Sequence, residues 1–307
     1  MRVFVTGASG HLGSAVVPEL LQAGHQVVGL ARSDASAAAL EAVGAEVHRG
    51  DLDDLDGLAS AAAGADGVIH LAFKHDLMFA GDFGGAVAAD LRVIEALGGA
   101  LAGTGKPLVG TSGTALFALA GFDGTLTEAD TLEAGPRIDA ENAVVALADR
   151  GIRASVVRLP PSVHSHLDRN GFIPTFITIA RNEGFSAYVG EGTNRWPAVH
   201  TLDAARAYRL AVESAPAGAR LHAVGDEGVP FRRIAEAIGR GLHLPVTSIP
   251  AEQAGEHFGV LAGQAAADGH ATSALTSALL GWAPTHPGLI DDIDQGHYVD
   301  AAHDDTH

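Results

Sequence analysis

Three glycines spaced three residues apart lie near the start of the chain, between a strand-like and a helix-like segment. Arg2–Thr6 alternates as a strand does, Gly7, Gly10 and Gly13 follow, and apolar residues at helical spacing come next. A strand-to-helix turn of this kind directs backbone N–H groups and the positive end of a helix dipole at one point. Glycine allows a tight turn close to a phosphate and close packing of the helix on the strand. The pattern therefore predicts a dinucleotide site, and a plain glycine-rich turn is the alternative.

The composition narrows the classes of partner. The chain has 307 residues, of which 47% are hydrophobic, enough for one large domain or two joined ones. Its 19 Lys and Arg against 37 Asp and Glu give a net charge of −18, which argues against nucleic acid or an anionic membrane surface as a partner. There is no cysteine, so disulfides, thiolate metal sites and a cysteine nucleophile are excluded. No apolar run reaches the ~18 residues of a membrane span, and no signal peptide precedes the first strand, so we expect a cytoplasmic protein.

Short apolar strands alternate with helices through the first half of the chain, which predicts an α/β fold with a doubly wound parallel sheet of the Rossmann type. The predicted strands are Arg2–Thr6, Gln26–Ala31, Ala45–Arg49, Gly67–Ala72, Pro107–Thr111 and Arg153–Arg158, and the helices between them include Ala35–Val43, Leu55–Ala63, Ala86–Leu101 and Asp139–Arg150. After Pro160-Pro161 the alternation breaks. We expect an NADP-binding Rossmann domain at 1–160 and a smaller C-terminal substrate lobe at 161–300, with about 199–225 returning to the first domain. The acidic tail is expected to fray beyond Tyr298.

The chain resembles the extended short-chain dehydrogenases/reductases, the group that includes the epimerase/dehydratase enzymes. Thr6–Gly13 matches their T-G-x-x-G-x-x-G pattern. The later matches are Asp51-Leu52, His70-Leu71-Ala72, the Arg158–Val163 stretch and the Gly190–Asp203 stretch, so that the resemblance covers about residues 1–285. It implies a nicotinamide dinucleotide as cofactor and a small-molecule substrate, and it leaves the substrate open.

The catalytic pair of that family, a tyrosine followed four residues later by a lysine, is absent here. Tyrosine occurs only at 188, 208 and 298, and none is followed by lysine at the fourth position. Counting back from Arg158 places Glu133 near the tyrosine position and Arg137 near the lysine position. The chain thus looks like an atypical subgroup that keeps the nucleotide motif without the usual active-site residues.

Four side chains are candidates for the catalytic work. These are Ser112, Thr114, Arg137 and His164. Ser112 and Thr114 flank Gly113, which takes the place where the family usually has a serine or threonine. Either hydroxyl could polarise a carbonyl group of the substrate, or could simply form hydrogen bonds with backbone N–H groups of a turn. Arg137 could bond the nicotinamide ribose but cannot shuttle protons, and it could equally be an ordinary charge in a first helical turn. His164 could donate a proton near pH 7, or be one of several polar loop histidines.

The cofactor is expected to be NADP(H) rather than NAD(H). Arg32-Ser33 follows the second strand, where an NAD site usually has an acidic residue, and a guanidinium suits a 2′-phosphate. Asp34 is close enough to make the distinction less sharp, and a solvated loop arginine is the alternative. The predicted cofactor-binding residues are Gly7, Ser9, Gly10, His11, Leu12, Gly13, Arg32, Ser33, Asp51, Leu52, Leu71, Ala72, Phe73, Thr111, Pro160 and Val163.

Substrate contacts are expected from His75, Met78, Trp196 and His200. In nucleotide-sugar relatives an arginine near Arg195 grips a diphosphate, but here Trp196 adjoins it, which favours a modest organic carbonyl compound; Trp196 could instead be lobe core. His164-Ser165-His166 has no convincing third ligand, so no metal site is predicted.

The sequence therefore predicts an NADP(H)-dependent oxidoreductase that transfers a hydride between nicotinamide and a small carbonyl or related C=X compound. Two alternatives remain open: a non-catalytic NADP(H)-binding sensor, and an epimerase, dehydratase or isomerase that retains its cofactor. A homodimer is possible.

Overall fold

A seven-stranded, fully parallel sheet forms the centre of the computed structural model, which describes residues 1–300. Its strands, in chain order, are β1 (Arg2–Thr6), β2 (Gln26–Ala31), β3 (Glu46–Arg49), β4 (Gly67–His70), β5 (Pro107–Gly113), β7 (Arg153–Leu159) and β11 (Ala219–His222), with β6 (Thr125–Leu126) outside it. Their spatial order is β3-β2-β1-β4-β5-β7-β11, and all neighbours pair in parallel. The order reverses direction between β1 and β4, which is where ligands bind in sheets of this type.

Helices cover both faces of this sheet. They are α1 (Gly13–Gln22), α2 (Asp34–Ala42), α3 (Leu55–Ala63), α5 (Phe83–Leu101), α7 (Ile138–Ala146) and, later in the chain, α9 (Thr201–Ser214). Two short helices, α4 (His75–Phe79) and α6 (Ala115–Leu119), follow β4 and β5. Strand alternation decides which face each side chain fills. In β1, Val3 and Val5 pack with α1 and α9, whereas Phe4 packs on the opposite side with α3 and α5.

The second lobe contains smaller sheets and its own apolar core. Its elements are β8 (Ser162–His164), α8 (Phe172–Glu183), β9 (Ser186–Val189), β10 (Arg195–His200), β12 (Asp226–Pro230), α10 (Phe231–Leu242), β13 (Val246–Ile249), α11 (Ala254–Phe258), α12 (Ala262–Ala266), β14 (His270–Ala271), α13 (Ala274–Leu280), α14 (Leu289–Asp294) and α15 (His297–Asp300), with 3₁₀ turns at Ala251–Gln253 and Gly259–Leu261. Phe176, Trp196, Phe231 and Phe258 pack edge to face in its core. The sheets are β12-β10-β8, β13-β9 and β14-β6.

Several element ends differ from those that the sequence predicts. The strand expected at Gly67–Ala72 ends at His70, because the chain at Ala72 passes under Gly7, where an added Cβ would lie 2.8 Å from the Ala72 nitrogen. The helix expected at Asp139–Arg150 ends at Ala146 and tightens into a 3₁₀ turn over Leu147–Arg150. β5 runs two residues further than predicted, to Gly113.

Residues 201–222 contact the first domain directly. Helix α9 packs against α1, and β11 adds the edge strand beside β7. The tail forms two short helices, α14, which ends at Asp294, and α15, which ends at Asp300. The fraying expected beyond Tyr298 falls mainly on residues outside the described part of the chain. Within residues 1–300, no helix combines the length and the apolar character needed to cross a membrane.

Candidate functional site

The glycine-rich turn between β1 and α1 has the geometry of a phosphate cradle. Gly7 has φ +68°, a backbone conformation that residues other than glycine rarely adopt. A Cβ on Gly13 would lie 2.1 Å from the Gly7 carbonyl oxygen, so only glycine fits there, while one on Gly10 would lie 3.3 Å from the same atom. No side chain caps the N-terminus of α1 at Leu12. The first N–H groups of that helix can therefore bind an anion.

Two guanidinium groups lie at the ends of β2 and β3, where the adenosine end of a dinucleotide would sit. Arg49 forms an ion pair with Asp34 at 2.5 Å and donates to the Ser33 carbonyl oxygen at 2.7 Å. The Ser33 hydroxyl caps α2 by accepting from the Ser36 N–H. Arg32 is largely exposed, with its guanidinium 3.8 Å from Asp76. Asp34 is thus paired with Arg49, and the side chain of Arg32 is exposed to solvent.

Asp51 and Leu52 follow β3, on the same side of the site as Arg32 and Arg49. The Asp51 carboxylate accepts the N–H of Asp53 at 2.8 Å, and Leu52 packs partly buried against the core. Lys74, after β4, binds Asp53 at 2.6 Å and so fixes the loops after β3 and β4 to each other.

Buried hydrogen bonds join the ends of β1, β4 and β5. Thr6 Oγ1 lies 2.6 Å from His70 Nδ1, and His70 Nε2 lies 2.9 Å from Asp90. Thr111 Oγ1 donates to the His70 carbonyl oxygen and lies 2.8 Å from the Tyr208 hydroxyl. Burial raises the pKa of Tyr208, whose side chain is fully enclosed. This tyrosine therefore supports the strand ends and is not exposed to a substrate.

Arg137 lies at the carboxyl edge of β4 and β5. Its guanidinium covers the Phe73 ring and donates to the Thr111 carbonyl oxygen at 3.4 Å. Its backbone has φ +63°, and burial lowers the pKa of its guanidinium. Asp90, whose charge opposes that shift, is itself hydrogen-bonded to His70. Arg137 thus offers a desolvated positive charge beside the predicted nicotinamide position.

Phe73 and His75 stack edge to face beside this arginine. Burial, and then the charge of Arg137, lower the pKa of His75. Met78 follows on the short helix α4, partly buried. Leu71, Pro160 and Val163 are wholly or partly buried next to the sheet edge, and Ser9 is exposed on the glycine-rich turn.

An apolar pocket lies between the end of β5 and the second lobe. It is lined by residues of both parts, among them Thr114, Phe117, Pro161, Phe172, Trp196 and Gln264. The Thr114 hydroxyl is buried and has no hydrogen-bond partner among the described residues. The Ser112 hydroxyl is also buried without a hydrogen-bond partner among the described residues, but Ser112 does not line this pocket and lies near Glu141. Of the two predicted hydroxyls, Thr114 is the one at the pocket.

Arg195 and Asp268 form a two-pronged ion pair in the pocket wall. Arg195 Nε donates to Asp268 Oδ1 at 3.0 Å and the Arg195 terminal nitrogen to Oδ2 at 2.8 Å. Asn194 holds the same wall by donating to the carbonyl oxygens of Ala265 and Ala267. Nothing in the sequence marks Asp268 as a partner of Arg195, 73 residues away.

His164 and His200 lie outside this pocket lining, in a buried cluster with the C-terminal helices. His164, at the end of β8, is fully buried, with Nδ1 2.9 Å from Asp292 and Nε2 without a partner among residues 1–300. His200 accepts the Leu202 N–H and stacks on His286 at 4.7 Å. Burial and the nearby His164 lower the pKa of His200 to about 4. Both histidines are thus held by contacts with other residues of the protein. Their predicted roles toward a substrate stay predictions.

The same cluster reaches the glycine-rich turn. His11 Nε2 lies 3.0 Å from Thr201 Oγ1, which donates to the His164 carbonyl oxygen, and His11 Nδ1 lies 4.0 Å from Asp168. Burial lowers the pKa of His11 to about 4 and raises that of Asp168 to about 6. Tyr298 donates to Asp168. Within the described residues, no group of three or more His, Asp or Glu side chains is arranged to hold a metal ion.

Comparisons with known proteins agree on one family. Residues 3–84 match the model of the NAD dependent epimerase/dehydratase family. An uncharacterized protein of Schizosaccharomyces pombe is 46% identical over 298 residues, which cover 97% of this chain and 100% of that protein. A 2-alkyl-3-oxoalkanoate reductase of Stenotrophomonas maltophilia is 30% identical over 232 residues, which cover 71% of this chain and 67% of that protein.

Solved structures share the fold. The crystal structure of a dTDP-glucose 4,6-dehydratase from Streptomyces venezuelae with NAD and TYD bound superposes with a TM-score of 0.75 at 21% identity, covering 98% of this chain and 97% of that one.

Proposed function

Because this chain belongs to the NAD-dependent epimerase/dehydratase family of extended short-chain dehydrogenases/reductases, we propose that it is an NADP(H)-dependent oxidoreductase acting on a small organic carbonyl compound. The observation that carries the proposal is the apolar pocket with the unpartnered Thr114 hydroxyl in its wall. The chain is similar to a 2-alkyl-3-oxoalkanoate reductase, which supports the same reaction class.

The residues present fit a nicotinamide dinucleotide. Gly7 and Gly13 leave no room for side chains, and the N-terminus of α1 has no side-chain cap, so a pyrophosphate can approach the backbone there. Arg32, with Arg49 beside it, favours a 2′-phosphate, because the nearby Asp34 is already paired with Arg49. Bound at this edge, the nicotinamide supplies or accepts the hydride.

Thr114 is suited to orient and polarise the carbonyl. Its hydroxyl can donate one hydrogen bond to the carbonyl oxygen, on which negative charge develops during hydride addition. Arg137 adds positive charge at the edge of β4 and β5 and can bond a ribose hydroxyl. Neither group releases a proton readily near neutral pH, so water delivers the proton that completes the alcohol.

The wall of the pocket favours an organic carbonyl compound over a nucleotide sugar. Arg195, the guanidinium in that wall, is paired with Asp268 through Nε and one terminal nitrogen, so its charge is already offset by a carboxylate. The remaining lining is chiefly apolar and aromatic. We therefore expect uncharged ketones and aldehydes to bind best.

The proposal is tested by mixing the purified protein with NADPH and a panel of uncharged ketones and aldehydes, and following absorbance at the nicotinamide band and product formation. We expect oxidation of NADPH with at least one class of compound. Thr114→Val should lower kcat roughly 10²-fold and Thr114→Ser far less, because one hydrogen bond to the developing oxyanion is lost or kept. Ser155→Ala, which removes another buried hydroxyl without a partner, is the matched control.

Other outcomes would favour the alternatives. Conversion of substrate without net NADPH consumption would indicate an epimerase, dehydratase or isomerase. Tight NADPH binding with no conversion of any compound would replace the enzyme proposal with that of a nucleotide-binding sensor.

A further inference from the structure

The lining of the pocket contains three residues that can carry charge: Arg195, Asp268 and His270. We propose that Asp268 restricts this pocket to uncharged apolar ligands, because its carboxylate occupies the guanidinium of Arg195. This inference rests on the proposed function, since it concerns the same pocket. It goes beyond that function by assigning the selectivity of the pocket to one residue pair.

Three hydrogen bonds join Arg195 to Asp268. Two parallel N–H···O bonds join Arg195 to Asp268, at 3.0 and 2.8 Å, and the Arg195 backbone N–H donates to Asp268 Oδ1 at 2.6 Å. The hydrogen bond from Arg195 lowers the pKa of Asp268, and the same bond raises the pKa of Arg195. The two charges therefore persist at neutral pH and cancel within the pocket wall.

His270, the third of these residues, is engaged by its own neighbours on β6 and β12. Its Nδ1 lies 2.8 Å from Thr125 Oγ1, and its Nε2 lies 3.7 Å from Glu227. Asp123 also acts on Arg195, adding negative charge on the same side. A carboxylate or phosphate entering the pocket would be repelled by Asp268, and it would lose its hydration to reach an Arg195 whose charge is already offset. An uncharged apolar ligand meets neither cost.

The wall of the pocket should keep its position when only the negative charge of Asp268 is removed. Asn194 binds the carbonyl oxygens of Ala265 and Ala267, and the Gly269 N–H donates to the Arg195 carbonyl oxygen at 2.8 Å. In Asp268→Asn the amide oxygen can still accept from the Arg195 backbone N–H. That variant therefore exposes a net positive charge in a pocket of nearly the same shape.

The test uses two aromatic ketones with the same acetylnaphthalene framework, 2-acetonaphthone as the uncharged probe and 6-acetyl-2-naphthoate as the anionic probe. Binding to the full-length protein is measured by isothermal titration calorimetry with saturating NADP⁺, so that no turnover is needed. We expect the unaltered protein to prefer the uncharged probe, and Asp268→Asn to shift the affinity ratio about tenfold toward the carboxylate.

Two further variants make the result specific. Arg195→Gln combined with Asp268→Asn should abolish the shift, since the guanidinium is gone. Asp294→Asn removes one charge from the similar Arg240–Asp294 pair elsewhere on the lobe and should leave the ratio unchanged. Circular dichroism verifies that each variant is folded.

The outcomes separate this inference from the proposed function. Equal affinity of the unaltered protein for both probes, no binding of the uncharged probe, or an unchanged ratio in folded Asp268→Asn overturns the inference, even if NADPH oxidation is observed. Selective binding with the expected shift supports it, even if no carbonyl compound is reduced.

Discussion

The guanidinium carbon of Arg137 lies 4.1 Å from the centre of the Phe73 ring, at the carboxyl edge of β4 and β5. This contact is made by a residue with φ +63°, and a left-handed conformation costs a non-glycine residue about 1 kcal/mol. Strain that is kept at the edge where ligands bind is a sign of function. Counting back from Arg158 in the sequence places this residue near the lysine position that the family resemblance implies.

Arg137→Gly separates the function of this residue from its contribution to stability. Glycine relieves the backbone strain but removes the charge, so we expect the free energy of unfolding to change by less than about 1 kcal/mol. The affinity for NADP⁺ should fall about tenfold, because the partly buried cation beside the cofactor site is lost. Urea unfolding and calorimetric titration measure the two quantities.

His243→Gly is the matched control for that variant. His243, after α10, is the other non-glycine residue with positive φ among residues 1–300, at φ +55°. The substitution relieves similar strain in the second lobe and should leave NADP⁺ affinity unchanged. An equal loss of affinity in both variants would show that the effect of Arg137→Gly is not local.

Arg32→Ala should change the choice between the two dinucleotides. We expect the Kd for NADPH to rise about tenfold at low salt, and that for NADH to stay within about twofold, because only NADPH carries the 2′-phosphate. Fluorescence titration of both cofactors measures this. Arg2→Ala removes a guanidinium paired with Glu46 at the opposite, amino end of the sheet and serves as control. A parallel loss of NADH affinity would count against a phosphate contact.

Gly13→Ala should abolish dinucleotide binding, whereas Gly10→Ala should weaken it less. The added Cβ at 13 would lie 2.1 Å from the Gly7 carbonyl oxygen and 2.6 Å from the Ala8 carbonyl carbon, so the turn must move. At 10 the nearest atom lies 3.3 Å away, which a small shift accommodates. Titration with NADPH, together with thermal unfolding of each variant, distinguishes a distorted turn from an unfolded protein.

Asp168 and His200 should make the free energy of unfolding depend on pH in opposite directions. Burial raises the pKa of Asp168 to about 6, so its contribution is present below about pH 4 and is lost as the pH rises through 6. Burial lowers the pKa of His200 to about 4, so its contribution is present above about pH 6.5 and is lost as the pH falls toward 4.

Two variants measure these terms between pH 4.5 and 6.5. Asp168→Asn should make the free energy of unfolding rise more steeply with pH, and His200→Asn should flatten the rise, each by roughly 1 to 3 kcal/mol. Asparagine at 200 can still cap α9, so the helix is preserved. Urea unfolding across this range is the measurement, and parallel curves for all three proteins would refute the assignment.

The local signals in the sequence predict the sheet and the cradle well. Strands with alternating or continuous apolar residues, such as β1 and β2, and the glycine positions depend on near neighbours, so periodicity and turn chemistry reveal them.

The choice between Ser112 and Thr114 shows where such reasoning fails. Strand alternation places residues 112 and 114 on the same face, but β5 ends at Gly113 and Thr114 already has helical angles, with φ −69° and ψ −29°. Its side chain therefore lines the pocket while Ser112 lies near Glu141.

Contacts between distant segments had no signal in the sequence. Tyr208 bonds Thr111, Asp292 bonds His164, and Asp268 bonds Arg195, each across 70 residues or more. Tertiary packing alone brings these pairs together, and no spacing rule marks them.

The pairing of Arg195 with Asp268 also bears on how such a pocket can evolve. Aspartate and asparagine codons differ by a single base, and the amide at 268 would keep the wall in place while freeing the guanidinium. A population of such proteins is therefore one point mutation from sampling anionic substrates, without rebuilding the cradle that holds the cofactor.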